Sequence, residues 1–333
     1  AQAGILEDMP RLDYSGGASC PALLLESQRT NKLSNSEYIN IGSTWVEENG
    51  ADCTPNYATS PEGVDNATRV QLDNSGAFSL TRIWSNFSPD ASNDTASFYA
   101  KSNTGSSFDI VIYFRDAGFG AVRGNKTITI TNEWQRFDLT ADCSGAAGNV
   151  MFLIYNTTAS DDWDFLMYGA QVEAGNYPTS YIPTYGSGVT RTTEIGDTTR
   201  LSDIMNVDQW TYFVEFEETG KGNQSQRIIG DSANNINLYL GSDLNFRFYY
   251  RIKGVYITDD TGLKIVSRYD GTQFSEFHDG AEVTYNGQSR LQTGDVDFDI
   301  QPRTDANTSA RIKQIVIFPE ALTDSECIKL TTI

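Results

Sequence analysis

The sequence "YGAQVEAGNYPTSYIPT", from Tyr168 to Thr184, ends a strand and then leads the chain away through two prolines. It holds packing residues and turn residues, without the nucleophile, general base or metal ligands of a catalytic loop. Ala170 and Val172 alternate as in a strand with one face in a core. Gly175 provides a turn, and Tyr181 can pack the departing chain down. The stretch therefore predicts a structural clasp on a β-sandwich.

Short strand patterns recur on both sides of this stretch. The segment "FDIVIYFR" (108–115) alternates with a period of two, whereas "NVMFLIYN" (149–156) is apolar on both faces, as in a central strand. Gly, Asn, Asp, Ser and Pro separate the patterns. We predict an all-β fold of two tandem antiparallel β-sandwiches (jelly rolls). The capping box of Thr323 and Glu326 predicts a short C-terminal helix.

The length of 333 residues favours two domains. The segment "YGSGVTRTTEIGD" (185–197) is small, polar and glycine-bearing, with strand patterns on either side. We place the first domain at 1–190 and the second at 196–333.

The charge balance excludes some classes of partner. The chain carries 24 Lys and Arg against 44 Asp and Glu, a net charge of −20. Nucleic-acid backbones require a basic face, so we expect no nucleic-acid partner. No apolar run approaches the ~20 residues that a membrane helix needs, so we expect no membrane insertion. The net negative charge has two explanations: it keeps the protein soluble, or some of the carboxylates lie in loops that bind calcium.

The four cysteines, Cys20, Cys53, Cys143 and Cys327, form no C-x-x-C pair, which argues against a zinc ribbon. Cys53 and Cys143 could pair in an oxidising compartment, or all four could be free thiols. The single histidine, His278, argues against most histidine-ligated metal sites.

Carboxylates at alternate positions raise the question of glycosidase chemistry. Glu215 and Glu217 share one strand pattern, and Asp295, Asp297 and Asp299 share another. Retaining glycosidases place two carboxyl groups about 5 Å apart. Neither pattern has the tight spacing of such enzymes, and a solvent-facing strand shows the same alternation. We therefore predict a protein that is not an enzyme.

Three segments of the first half resemble one family. The stretch 168–184, the segment "MPRLDYSGGASCPALLLESQRTN" (9–31) and the segment "SEYINIGSTW" (36–45) resemble the last strand, entry and early part of a carbohydrate-binding-module-like jelly roll. Such modules are common in phage tail fibres and in secreted polysaccharide-binding proteins. The resemblance covers about residues 10–184, and its motifs say little about the ligand.

Two segments of the second half resemble another family. The segment "KIVSRYDGTQFSEFHDGAEV" (264–283) is similar to a hairpin of laminin-G or concanavalin-A-like lectin domains, with Asp279 and Gly280 where an asparagine-glycine turn is usual. The segment "ARIKQIVIFPEALTDSECIKLTT" (310–332) is similar to their closing strand. This resemblance covers 198–333.

The order of these modules resembles the receptor-binding end of a phage tail fibre or spike. It implies non-catalytic recognition of a bacterial surface or extracellular polysaccharide, at the virion tail or in the extracellular space. It also implies a homotrimer joined through a further N-terminal part, with other virion tail proteins as partners. Accessory modules of a secreted polysaccharide-degrading enzyme, or a structural virion decoration protein or adhesin, are the alternatives.

Aromatic side chains that stack on sugar rings, with polar or cationic neighbours, are the candidate glycan contacts. Trp84 and Trp163 border polar loops, whereas Trp45, Trp134 and Trp210 are expected in cores. The candidates in the first domain are Trp84, Trp163, Tyr113 and Arg115. Those in the second are Arg247, Tyr249 and Arg251, which alternate in "NFRFYYR" and suit an acidic sugar. A solvated sheet face would show the same residues.

The first resemblance also implies one structural calcium ion near the strand ends. Asp161, Asp162 and Asp164 cluster beside the last strand, and Glu47 lies near the first. Carboxylate oxygens are the ligands that calcium prefers, although no motif of fixed spacing is present.

Overall fold

The computed structural model describes residues 12–13, 22–73, 81–90, 93–155, 162–192, 196–197, 209–220, 226–231, 236–240, 246–250, 253–257, 263–272, 274–278, 280–282, 298–300 and 309–332. Between residues 196 and 263, side chains are described only for 209–215, and between 298 and 311 only the backbone is described.

The described elements are almost all strands. In chain order they are β1 (Leu12–Asp13), β2 (Ala22–Glu26), β3 (Arg29–Asn31), β4 (Trp45–Glu48), β5 (Ala51–Ala58), β6 (Ala67–Asp73), β7 (Arg82–Phe87), β8 (Asn93–Ser102), β9 (Phe108–Asp116), β10 (Val122–Ile130), β11 (Gln135–Asp142), β12 (Val150–Tyr155), β13 (Asp162–Ala174), β14 (Val189–Arg191), β15 (Gly196–Asp197), β16 (Trp210–Gly220), β17 (Gln226–Asp231), β18 (Ile236–Leu240), β19 (Phe246–Tyr250), β20 (Lys253–Ile257), β21 (Leu263–Tyr269), β22 (Phe274–His278), β23 (Ala281–Glu282), β24 (Phe298–Ile300), β25 (Ser309–Phe318) and the helix α1 (Asp324–Thr331). The predicted all-β class is confirmed.

The first compact unit, residues 28–192, is a sandwich of two five-stranded antiparallel sheets. One sheet has the order β10-β9-β12-β7-β4 and the other the order β11-β8-β13-β6-β5. Side chains from both sheets form one apolar core, in which Trp45, Phe98, Phe114 and Phe152 are fully buried. The alternation predicted for 108–115 is confirmed, and β12 is the central strand of its sheet, as its two apolar faces predict.

The stretch 168–184 is held by buried side-chain amides. Asn31, from β3, donates its Nδ2 to the carbonyls of Ala170 (3.2 Å) and Ile182 (2.8 Å). Its Oδ1 accepts the backbone N–H of Val172 at 3.1 Å. Gln171 accepts the N–H of Ile182 at 2.7 Å. These bonds join the last strand to the departing chain, which confirms the clasp interpretation.

Two glycines make the clasp possible. Gly169 has a φ of 63°, and the ring of Tyr181 packs 3.4 Å from the position that a Cβ would occupy. Gly175 has a φ of 133°, and a Cβ there would meet the Arg29 guanidinium at 2.9 Å. At these positive φ angles a side chain is strained. Both glycines are therefore required by local geometry.

The second unit comprises residues 5–27 and 193–333. Its two sheets have the orders β1-β2-β25-β16-β21-β22-β23 and β15-β24-β17-β18-β19-β20. The entry strand β2 pairs with β25, with Leu23 opposite Ile312. This differs from the predicted first domain of 1–190, because the backbone hydrogen bonds of β2 go to the closing strand of the second unit. The division between the units follows Thr192, inside the segment 185–197.

Helix α1 begins as its sequence predicts. The Thr323 side chain accepts the N–H of Glu326, and Glu326 Oε2 accepts the N–H of Thr323 at 2.8 Å. Cys327 on its inner face packs with Phe213 of β16 and Phe277 of β22 in one apolar cluster. The capping box therefore seats the helix against the sheet.

The described cysteines are buried and free. Cys53, Cys143 and Cys327 form no disulfide, so the free-thiol alternative describes these three, and Cys20 lies outside the described residues. No helix in the described part of the chain is long and apolar enough to cross a membrane.

Candidate functional site

The outer face of the sheet β10-β9-β12-β7-β4 carries several half-buried aromatic side chains. Trp84, Tyr113 and Arg115 are predicted glycan contacts, and all three lie half-buried on this face. Tyr155 of β12 and Phe119 of the β9–β10 turn join them. We call these five residues the aromatic face.

The strand register explains this grouping. Leu153 of β12 lies between Trp84 of β7 and Tyr113 of β9, directly opposite both. Met151 lies one pair further along the same face, opposite Arg115. Leu153 is only 1% exposed and Met151 is 0% exposed, although they face away from the sandwich core. The aromatic face therefore stands on an apolar floor that is fully covered.

Tyr113 and Tyr155 form a stacked pair. Their ring centroids are 4.6 Å apart and the rings are inclined by 23°. Burial, with a hydrogen bond to Tyr155, raises the pKa of Tyr113 to about 12. The phenol is therefore neutral at physiological pH, and it can act as a hydrogen-bond donor or acceptor.

Phe119 reaches the face from a strained backbone. It has a φ of 63°, an unusual conformation for a bulky residue, within the turn that joins β9 and β10. The ring meets Trp84 edge to face, with centroids 6.1 Å apart. The guanidinium carbon of Arg82 lies 3.7 Å from the centre of the same ring. Strain of this kind is concentrated at functional sites, where surrounding contacts maintain it.

Trp84 holds a buried polar atom without a partner. Its indole Nε1 is buried and has no hydrogen-bond acceptor within the described part of the chain. An orphaned buried donor is costly, so a native structure that retains one invites a functional explanation.

The charges around the face are mostly neutralised. Arg82 forms an ion pair with Glu48. Arg123 binds both oxygens of Asp116, with both distances 2.6 Å, and this contact lowers the pKa of Asp116. Arg115 donates its Nε to the carbonyl of Gly120 at 2.8 Å.

Trp163 is not part of any exposed platform, contrary to the sequence prediction. Its side chain is 5% exposed and belongs to the sandwich core. It stacks on Phe108 with centroids 6.0 Å apart and an angle of 14°. The polar neighbours in "SDDWDF" alternate outward from β13 while the indole points inward, and this alternation is the physical reason for the difference.

The predicted calcium ligands are not brought together in the described residues. Asp164 is bound by Arg69, with Nε to Oδ1 at 3.0 Å, and by Asn103. Glu47 lies on the other sheet and accepts the N–H of Ile41 at 2.7 Å. No group of three possible metal ligands occurs in the part searched, which covers the described residues. Asp162 is exposed and Asp161 lies outside the described residues, so calcium at this end stays a prediction.

The predicted cationic strip of the second domain lies largely outside the described residues. The backbone of Arg247 and Tyr249 runs in β19, but their side chains and all of Arg251 are not described. That site stays a prediction. Among the carboxylates considered for catalysis, Glu215 has its Oε1 atom 3.8 Å from the Nζ atom of Lys313.

Two residues of the aromatic face escaped sequence analysis. Tyr155 ends the apolar segment 149–156, which the sequence predicts as a whole to be a central strand. Phe119 lies in "RDAGFG", where an aromatic residue between two glycines was a usable signal. Glycines on either side of an aromatic residue indicate a turn that can present its ring.

Comparisons with known proteins find solved structures of low similarity. Neither a protein-family model nor a curated protein matches it. The Ruminococcus gnavus IT-sialidase CBM40 module, bound to α2,3-sialyllactose, is 15% identical, with 41% of this chain and 91% of that chain covered and a TM-score of 0.33. The CBM22-1 xylan-binding domain of Paenibacillus barcinonensis Xyn10C is 16% identical, with 43% and 92% covered and a TM-score of 0.32.

A third similar structure comes from a phage. The enzymatically active domain of bacteriophage CBA120 tailspike protein 4 is 15% identical, with 43% of this chain and 21% of that chain covered and a TM-score of 0.32. The chain spans about a quarter of the length of the arabinofuranosidase and Trypanosoma rangeli sialidase chains that it also matches.

Proposed function

We propose that the first unit binds a glycan chain on its aromatic face and does not catalyse its cleavage. The observation that carries this proposal is the grouping of Trp84, Tyr113 and Tyr155 on one sheet face, above the covered floor of Leu153 and Met151. Aromatic rings held outward by a rigid sheet give a sugar ring an apolar surface that costs little ordering on binding.

Polar groups beside the rings suit sugar hydroxyls. The Trp84 Nε1 has no acceptor within the described residues, and the neutral Tyr113 hydroxyl can both donate and accept. Phe119, fixed at the end of the face by its turn, would bound the ligand on that side.

The carboxylates near the face favour binding over catalysis. Glycoside hydrolysis requires two carboxyl groups flanking the bond, one of which keeps a proton. Glu48 is paired with Arg82, and Asp116 with Arg123. The Arg123 contact lowers the pKa of Asp116, so this carboxylate is not suited to act as a general acid.

For the biological role, we propose the receptor-binding distal part of a phage tail fibre or spike. In this role the chain would be extracellular or part of the virion tail, and trimers would raise a modest single-site affinity by avidity. Accessory binding modules of a secreted polysaccharide-degrading enzyme are the alternative, and a structural decoration protein or adhesin is a further one. A trimeric coiled coil upstream would favour the first role, and a hydrolase or lyase domain the second.

The binding proposal is tested with the full chain on an array of neutral and acidic bacterial, plant and animal glycans. Trp84→Ala and Tyr113→Ala are the test variants. Trp134→Ala is the control, since it removes a half-buried aromatic residue outside the aromatic face.

We expect the parent and the control to retain the same glycans, and both test variants to lose them while they remain folded. The proposal is overturned if the parent retains no glycan. It is also overturned if both test variants bind as the parent does.

A further inference from the structure

We infer that the aromatic face selects an acidic glycan, whose carboxylate is bound by Arg115. This inference rests on the proposed function and adds the substrate class to it. It concerns the first unit and is independent of the cationic residues in the second.

Arg115 differs from the arginines nearest to it. Arg82 and Arg123 each bind a carboxylate, Glu48 and Asp116. Within the described residues, Arg115 makes one hydrogen bond, from Nε to the Gly120 carbonyl, and no carboxylate lies within 4.0 Å of it. Its two terminal amino groups have no acceptor there. Among the described residues, Arg115 is therefore a half-buried arginine without a carboxylate partner.

The contacts of Arg115 orient the guanidinium. The Nε bond to Gly120 fixes one edge of the planar group, and the ring of Phe119 lies 6.0 Å from its central carbon. The edge that carries the two terminal amino groups is the one that forms paired hydrogen bonds with a carboxylate. The arginine is therefore arranged for an external anion.

The neighbouring side chains place that anion beside a sugar ring. Arg115 and Tyr113 are two residues apart on β9, so both project from the same face. Trp84 lies on β7, on the far side of β12 from β9, and its ring contacts Phe119 edge to face. A sugar ring on the aromatic residues, with its carboxylate at Arg115, would contact both at once. A uronic acid or another carboxylated sugar is the ligand class that fits.

The local charge favours an anion there although the protein is acidic overall. The Glu48 carboxylate is neutralised by Arg82, and Tyr113 is uncharged below a pH of about 12. Arg115 therefore adds one uncompensated positive charge. A single charge pair at a partly exposed site is screened by salt, so we expect a shallow salt dependence.

The test uses three acidic polymers, polygalacturonate, alginate and hyaluronan, each beside the same polymer after reduction of its carboxylates to alcohols. Affinity electrophoresis and calorimetry of the full chain are run at low and high salt. Arg115→Gln is the test variant. Arg69→Gln is the matched control, since it removes the same charge from β6 in the other sheet, where Arg69 is paired with Asp164.

We expect the parent to bind at least one acidic polymer about tenfold more tightly than its reduced form, which corresponds to one charge-assisted contact. Arg115→Gln should abolish that difference, and Arg69→Gln should keep it. The inference is overturned if the parent shows no preference for any acidic form, or if Arg115→Gln keeps the preference. It is also overturned if Arg115→Gln weakens both forms equally.

These outcomes separate the inference from the proposed function. In one outcome, the parent binds the reduced polymers with no preference for the acidic forms, and Trp84→Ala removes this binding. That result would retain glycan binding on the aromatic face and reject the carboxylate contact. Failure to bind any polymer or any glycan on the array would reject both.

Discussion

Substitution of two tryptophans by alanine separates the core from the aromatic face. Trp163 and Trp84 lie on β13 and β7, in different sheets of one sandwich. The sequence suggested the same role for both, whereas the structure gives them different environments. We therefore expect Trp163→Ala to lower stability and Trp84→Ala to lower binding.

The cost of Trp163→Ala follows from its burial. The indole is 5% exposed and stacked on Phe108, so its removal leaves a large cavity. Tryptophan-to-alanine changes in cores cost about 3–5 kcal/mol. A domain of this size loses roughly 2–4 °C per kcal/mol, so the unfolding midpoint of the first unit should fall by about 6–20 °C. Below that transition, glycan retention should be unchanged.

The cost of Trp84→Ala is different because its ring is half-buried on an outer face. We expect a stability loss of about 1–2 kcal/mol, from partial burial and the contact with Phe119. Loss of a central tryptophan commonly removes about 2 kcal/mol of binding free energy, or roughly 30-fold in affinity. For a weak single site, such a loss makes retention undetectable.

Differential scanning calorimetry of the full chain and retention on the best glycan of the array measure both effects. The reasoning is refuted if Trp163→Ala leaves the midpoint within about 2 °C of the parent. It is also refuted if Trp84→Ala keeps the parent's glycan affinity, or if the two variants exchange effects.

Three further changes test other parts of the first unit. Glu173→Gln should lower the free energy of unfolding, measured in urea, by about 3 kcal/mol. The reason is that the buried Glu173 carboxylate accepts three hydrogen bonds, two of them from Thr179. A variant as stable as the parent would contradict the clasp. Phe119→Gly should change the free energy of unfolding by no more than about 1 kcal/mol, because relief of the strained positive φ offsets the loss of the ring contacts. Glycan binding should weaken at least fivefold. Unchanged binding would exclude the Phe119 ring from the site. Burial raises the pKa of the Cys143 thiol to about 12, so the native state keeps a proton that the unfolded chain loses above about pH 8.5. Stability should therefore fall between pH 8.5 and 10, and Cys143→Ala should reduce that slope; an identical slope in the variant would refute this cause.

Much of the fold follows from local pattern. The alternation in 108–115 fixes which face of β9 enters the core, because successive side chains of a strand point to opposite sides. The two apolar faces of β12 have a more specific cause than central position alone. Its inner side faces the core, and its outer residues Met151 and Leu153 form the floor of the aromatic face.

The pairing of β2 with β25 was not predictable in the same way. Strand partners nearly 290 residues apart are selected by tertiary packing, and the pattern of 22–26 is equally compatible with either sandwich. The candidate site shows the same limit. The two-residue alternation of the strand predicts that Tyr113 and Arg115 project from the same face. Their placement beside Trp84 depends on the pairing of β12 with both β9 and β7. Trp163 was misplaced because polar neighbours in sequence do not show which way an indole points.

The strain at Phe119 connects the fold to recognition. A left-handed conformation for a bulky residue costs about 1–3 kcal/mol, so contacts elsewhere must hold it. The turn closes with the Asp116 N–H bound to the Ala121 carbonyl at 2.9 Å, and the Ala117 N–H bound to the Asn149 carbonyl at 2.9 Å. The guanidinium carbon of Arg82 lies 3.7 Å from the centre of the ring. Because these contacts fix the Phe119 side chain before a ligand binds, binding would carry no entropic cost for ordering that side chain. The aromatic face is therefore a rigid surface, and we expect its affinity to depend on ring positions and the Arg115 charge rather than on loop closure.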